Sequence, residues 1–235
     1  HRGDKILNTE SKDKILKSFK NSKSRLILLD YDGTLRSFIS SHDPDKAAPS
    51  KQLKSLVDKL SNLRNTHLCI LSGRPRDVLE SWFGDLNISI AAEHGAWIKS
   101  EDEWSRQRVS LGDYRKKILE ILDRYAERTP GAVVEEKDFS IVWHYRNVLN
   151  ELAHARNASL KYELNKLLGN TEFKIFNGAK IIEIKPASVN KGVVAEDFYV
   201  MNSPDFVLCI GDDYTDEDMF RAMPDRAFTL KVGLD

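Results

Sequence analysis

Short apolar runs alternate with longer amphipathic stretches along the first part of the chain. The run Leu26 to Leu29 is too brief for a buried helix and suits a central parallel strand, covered on both faces. His67 to Leu71 repeats the design, and Asp205 to Ile210 repeats it again near the end. Between them the spacing turns helical. Ile15, Leu16 and Phe19 predict a helix within Lys12 to Ser22, and Leu53, Leu56, Val57 and Leu60 predict another that opens at an N-cap, Ser50. Asp77 to Phe83 reads as a third helix and Ile88 to Ala92 as a short strand running into Glu93-His94-Gly95. Ser37 to Ser50, polar and carrying Pro44 and Pro49, reads as a loop.

From Trp104 to Pro186 the alternation lapses. The pattern there predicts a helix (Asp113 to Arg128), strands (Ala132 to Glu136 and Phe139 to Tyr145), a helix (Asn150 to Leu168) and two more strands (Glu172 to Phe176 and Lys180 to Lys185). That order is an antiparallel α+β unit, not a continuation of a parallel sheet. The expectation is an α/β core of residues 1–104 plus 187–235, interrupted by an inserted α+β domain of residues 105–186.

The 235 residues carry 36 Lys and Arg against 36 Asp and Glu, so the balanced charge gives no case for nucleic acid or an anionic membrane as partner. No apolar stretch approaches the roughly 20 residues of a membrane span. Cys69 and Cys209 lie inside apolar runs, which predicts buried free thiols in a reducing, cytoplasmic setting. The start at His1 without Met and the close at Asp235 suggest a domain excised from a longer chain.

The ends of the apolar runs carry the chemistry. Asp30 and Asp32 follow the first, Ser72 the second, Asp212 and Asp213 the third, and in open parallel sheets this carboxyl edge is where ligands bind. Carboxylates gathered there repel one another unless a cation sits among them. An oxygen-only set without paired His or Cys favours a hard ion, Mg²⁺, held by Asp30, Asp32, Asp212 and Asp213. Given a phosphate ester, Asp30 can attack phosphorus as a covalent nucleophile. Asp32 can protonate the leaving oxygen and later activate water. Ser72 and Lys191 would neutralise the transferring group. Plainer readings stand beside these: a helix cap for the paired aspartates, a helix N-terminus for Asp216 to Asp218, and an ordinary surface lysine for Lys191.

Leu-Leu-Asp30-Tyr-Asp32-Gly-Thr-Leu, Leu-Ser72-Gly-Arg, Asn190-Lys191-Gly and Gly-Asp212-Asp213-Tyr-Thr-Asp216-Glu-Asp resemble the motifs of the haloacid dehalogenase phosphatase superfamily. Ala92-Glu93-His94-Gly95, Thr129-Pro130-Gly131, Val134 to Lys137 and Trp143-His144-Tyr145-Arg146 further resemble trehalose-6-phosphate phosphatases. The resemblance implies a Rossmann-like core with an inserted cap, the core doing phosphoryl chemistry and the cap holding the disaccharide. It implies Mg²⁺-dependent hydrolysis of trehalose 6-phosphate through an aspartyl phosphate, with a trehalose-6-phosphate synthase as fused or complexed partner. It also implies substrate contacts at Gly33, Thr34, Gly73, Arg74, His94 and Asp216, and at Glu135, Lys137, Arg146 and Glu183 in the insert. Another sugar phosphatase, acting on sucrose phosphate or a hexose phosphate, and a non-catalytic regulatory module are the alternatives.

Overall fold

The computed structural model describes residues 6–37, 44–106, 111–112 and 114–233. The chain runs α1 (Thr9–Asn21), β1 (Arg25–Asp30), α2 (Pro44–Ala47), α3 (Lys51–Ser61), β2 (Thr66–Leu71), α4 (Arg76–Phe83), β3 (Ser89–Ala92), a 3₁₀ turn (Glu93–Gly95), β4 (Trp97–Ser100) and β5 (Glu103–Arg106). It continues through α5 (Tyr114–Ala126), β6 (Val133–Glu136), β7 (Ile141–His144), α6 (Asn150–Leu168), β8 (Phe173–Gly178) and β9 (Ile181–Pro186), and ends with α7 (Lys191–Asn202), β10 (Phe206–Gly211), α8 (Tyr214–Ala222) and β11 (Phe228–Lys231). It divides into two compact units, His1–Gln107 with Asn190–Asp235, and Arg108–Val189.

The first unit is built around β1, the third strand of a seven-stranded sheet ordered β11-β10-β1-β2-β3-β4-β5. β1 pairs in parallel with β10 on one side and β2 on the other. Its side chains go alternately to two cores. Ile27 and Leu29 join Val57 of α3 and Leu79, Trp82 and Phe83 of α4. Leu26 and Leu28 join Val194 and Phe198 of α7, Met219 of α8, and the thiols of Cys69 and Cys209. Helices therefore cover both faces, which is why β1 reads as an unbroken apolar run. Leu26 and Leu28 are fully buried, and each contributes about 1.5–3 kcal/mol by leaving water. Both cysteines are free and buried.

The structure departs from the sequence pattern at three places. α2 lies within the stretch expected to be a loop, whose residues 38–43 fall outside the described residues. β4 and β5 extend the sheet as an antiparallel hairpin that periodicity does not announce. β11 adds a parallel edge strand beside β10.

The second unit is a four-stranded antiparallel sheet ordered β6-β7-β9-β8. One face, with Trp143, Ile182 and Ile184, packs on Ile118 and Leu122 of α5 and Leu160 and Leu164 of α6. Strand alternation puts Glu135, Val142, Glu183 and Phe176 in one row across the other face. Among the described residues no helix is long and apolar enough to cross a membrane.

Candidate active site

The carboxyl ends of β10, β1 and β2 lie side by side, because Leu29 pairs with Ile210 and Asp30 pairs with Leu71. Asp30 closes β1, Asp212 follows β10 and Ser72 follows β2. Single carboxylate oxygens of Asp30, Asp212 and Asp216 gather within 4.8 Å of one another. Asp216 reaches this cluster from the first turn of α8, where its Oδ2 accepts the amides of Asp212 at 3.0 Å and Asp213 at 3.2 Å. Lys191, at the start of α7, donates to Asp30 Oδ1 at 2.6 Å and to Asp216 Oδ1 at 2.7 Å.

Burial sets the charges. It pushes Asp30 up to about 6, against the attraction of Lys191, with the Asp212 charge adding to the rise. Asp216 is likewise raised to about 6 by burial, opposed by Lys191. Burial lowers the Lys191 pKa, but the charges of Asp30 and Asp216 outweigh it and hold the pKa above the usual lysine value. Asp30 Oδ2 is buried with no hydrogen-bond partner among the described residues. Three carboxylates against one lysine leave an excess of negative charge, and an all-oxygen donor set with an unpartnered buried oxygen fits a hard divalent cation such as Mg²⁺.

Gly33 makes the turn out of this site possible. Its φ is +86°, and a Cβ there would run into the Asp212 carboxylate, whose Oδ1 accepts from Thr34 Oγ1 at 3.4 Å. A Cβ on Gly73 would come within 2.6 Å of His94 Nε2. His94 donates its amide to the Ser72 carbonyl at 2.9 Å, so its ring packs directly on the Ser72-Gly73 turn. Ser72 is buried, and its Oγ accepts the Arg74 amide at 3.1 Å.

Other residues singled out from the sequence are placed differently. Asp213 is the N-cap of α8, exposed, and its Oδ1 accepts from the Thr215 amide at 2.8 Å and the Thr215 hydroxyl at 2.6 Å; it lies outside the cluster. Asp216, expected as a substrate contact or as part of a helix N-terminus, does stand in the first turn of α8, on the capping-box spacing that starts at Asp213, and it is also within the cluster. Asp32 is also outside, held by Arg74 Nε and Nη2 at 2.8 and 2.6 Å.

In the second unit Glu135 and Glu183 flank Val142 on the same sheet face. Glu135 pairs with His144 Nε2 at 2.7 Å. Glu183 is buried, with Lys185 Nζ at 3.9 Å, and that ammonium stands 4.8 Å from the Phe176 ring centre. Lys137 lies just beyond β6, its amide donating to Ser140 O at 2.9 Å. Arg146 follows β7 and donates to Ala179 O at 3.5 Å.

This helix-flanked parallel sheet is a fold found among haloacid dehalogenase-like hydrolases: one from Bacteroides thetaiotaomicron shares it with a TM-score of 0.59 at 16% identity, covering 85% of this chain and 86% of that one. The trehalose-phosphatase family profile matches residues 28–233, and the chain belongs to that family. A bifunctional trehalose-6-phosphate synthase/phosphatase of Thermoproteus tenax is 38% identical over 95% of this chain and 30% of its own length. An alpha,alpha-trehalose-phosphate synthase (UDP-forming) B of Dictyostelium discoideum is 36% identical over 92% of this chain and 28% of its own. The chain thus spans less than a third of these relatives. Among solved structures, the C-terminal domain of Candida albicans trehalose-6-phosphate phosphatase matches with a TM-score of 0.79 and 34% identity, over 92% of this chain and 78% of that one.

Proposed function

We propose that this chain hydrolyses trehalose 6-phosphate to trehalose and phosphate, in a Mg²⁺-dependent reaction through an aspartyl phosphate on Asp30. The observation that carries the reading is the buried Asp30 carboxylate, with Oδ1 on Lys191 and Oδ2 unpartnered, beside Asp212 and Asp216. Asp30 would attack phosphorus as the bond to the sugar oxygen breaks, and Asp32, taking a proton from solvent, would pass it to that oxygen. A water would then attack the aspartyl phosphate, give its proton to Asp32, and release phosphate with Asp30 restored. Lys191 and the Ser72 turn would balance the charge of the phosphoryl oxygens. A Mg²⁺ ion held by Asp30, Asp212 and Asp216 would supply further charge neutralisation.

The first unit is then the catalytic core and the second a cap that selects the sugar. Glu135, Lys137, Arg146 and Glu183 suit a polyol, since charge-assisted hydrogen bonds are the strong ones and a misplaced hydroxyl leaves one unmet. The bifunctional relative supports a synthase as fused or complexed partner. The two buried free thiols support a reducing compartment, the cytoplasm.

Phosphate release from trehalose 6-phosphate tests the reading. It is expected to vanish on chelation and in Asp30→Asn; undiminished release in either case overturns the mechanism. A panel including sucrose 6-phosphate and glucose 6-phosphate, compared by kcat/KM, tests the substrate. Activity spread evenly across the panel overturns trehalose 6-phosphate as the specific substrate.

A further inference from the structure

Both oxygens of the Asp32 carboxylate are occupied by one side chain. Arg74 Nη2 donates to Oδ1 at 2.6 Å and Nε to Oδ2 at 2.8 Å, a bidentate fork. The arginine is anchored at its base, where its amide donates to Ser72 Oγ at 3.1 Å, and its guanidinium lies 5.6 Å from the ring centre of Trp82. Each oxygen keeps a second lone pair, but the fork fixes the direction in which the carboxylate faces. Any swing of Asp32 toward a leaving oxygen beside Asp30 therefore requires this pair to open.

We propose that Arg74 exchanges partners: it holds Asp32 in the fork described above and passes to the phosphoryl oxygens when a phosphate ester enters, releasing Asp32 to take a proton from solvent and pass it to the leaving oxygen. The inference rests on the phosphatase reading above, since it needs a phosphoryl dianion at the end of β1. A guanidinium offers phosphate the same fork it offers a carboxylate, so the exchange conserves its two hydrogen bonds. The Arg74 and Asp32 side chains are 18% and 24% exposed, so the pair lies where an entering anion can reach it. The anchor matters as well, because Ser72 sits at the end of β2, beside Asp30 in register, and so the guanidinium is tethered close to where phosphorus would bind. Coupling the exchange to substrate entry would keep Asp32 from acting until a phosphoryl group is in place.

Calorimetric titration of the Mg²⁺-loaded chain with inorganic phosphate tests the exchange through a double-mutant cycle. In the wild type, phosphate competes with Asp32 for Arg74. Asp32→Asn removes the competitor and is expected to tighten phosphate binding about tenfold beyond the gain the same substitution gives in an Arg74→Gln background. Arg74→Lys, which keeps the charge but not the fork, is expected to fall between, and it replaces Arg74→Gln in the cycle if that variant melts early. Equal tightening in both backgrounds overturns the exchange, as does absence of phosphate binding by the wild type. Hydrolysis of trehalose 6-phosphate that depends on Asp30, without coupling in the cycle, removes the exchange and leaves the phosphatase reading standing.

Discussion

Lys191 and Asp216 meet at 2.7 Å in the interior of the first unit, with side chains 3% and 0% exposed. The same ammonium holds Asp30, so one cation compensates two buried carboxylates. Lys191→Met leaves both without a counter-charge in a poorly solvated place, Asp216 keeping only its two backbone amides. The expected cost is about 3–5 kcal/mol of stability in chelator, together with loss of phosphate release. Denaturant unfolding in EDTA gives the first number, and an unchanged midpoint would contradict the role.

Burial raises Asp30 and Asp216 to about 6, so each binds a proton below that pH that a cation must displace. Apparent Mg²⁺ affinity is therefore expected to weaken as pH falls through about 6, with protons released on binding near that pH. Titrations in buffers of different ionisation enthalpy measure both quantities. Constant affinity from about pH 8 to about pH 5 would sink the prediction.

Gly33→Ala asks a side chain to adopt φ +86° while pointing at the Asp212 carboxylate. The conformation alone costs about 1–3 kcal/mol, and the displaced carboxylate weakens the cluster. A lower unfolding midpoint and a parallel fall in Mg²⁺-dependent hydrolysis are expected. Wild-type behaviour in both assays would mean that the turn is not needed.

His67, at the start of β2, has its ring 3.0 Å from Ser89 Oγ and 5.4 Å from the Phe198 ring centre. Burial lowers its pKa from 6.5. The unfolded chain therefore takes up the proton first as pH falls. Its contribution to stability is complete above 6.5 and is lost as pH drops from there through the folded value. Thermal melts between about pH 7.5 and 5 should show a smaller decline for His67→Gln than for the wild type, and identical declines would refute it.

Where local and tertiary demands agree, the sequence is transparent. Leu26 to Leu29 read as a doubly covered strand because helices do cover both faces, and Ser50 read as an N-cap because its Oγ accepts the Leu53 amide at 3.1 Å. α6 keeps the bounds its pattern suggests, Asn150–Leu168. The β4–β5 hairpin was hidden by its turn. Glu101 and Asp102 adopt positive φ of 49° and 66° without the glycine or asparagine that would announce them. The acidic stretch after β10 shows the same limit at the site. Spacing alone could not say that Asp213 would be spent on capping α8 while Asp216 turned inward, since that division depends on how α8 leaves the sheet.

Asp30 and Lys191 are 161 residues apart in the chain. β1 therefore emerges from the ribosome long before β10, the strand that covers one of its edges, and before the lysine that balances its carboxylate. The Arg108–Val189 unit, continuous in sequence, can close while that edge still waits. Assembly order thus makes Asp30 one of the last groups to find its counter-charge, and a nascent chain stalled within Arg108–Val189 carries this carboxylate without the ammonium that balances it.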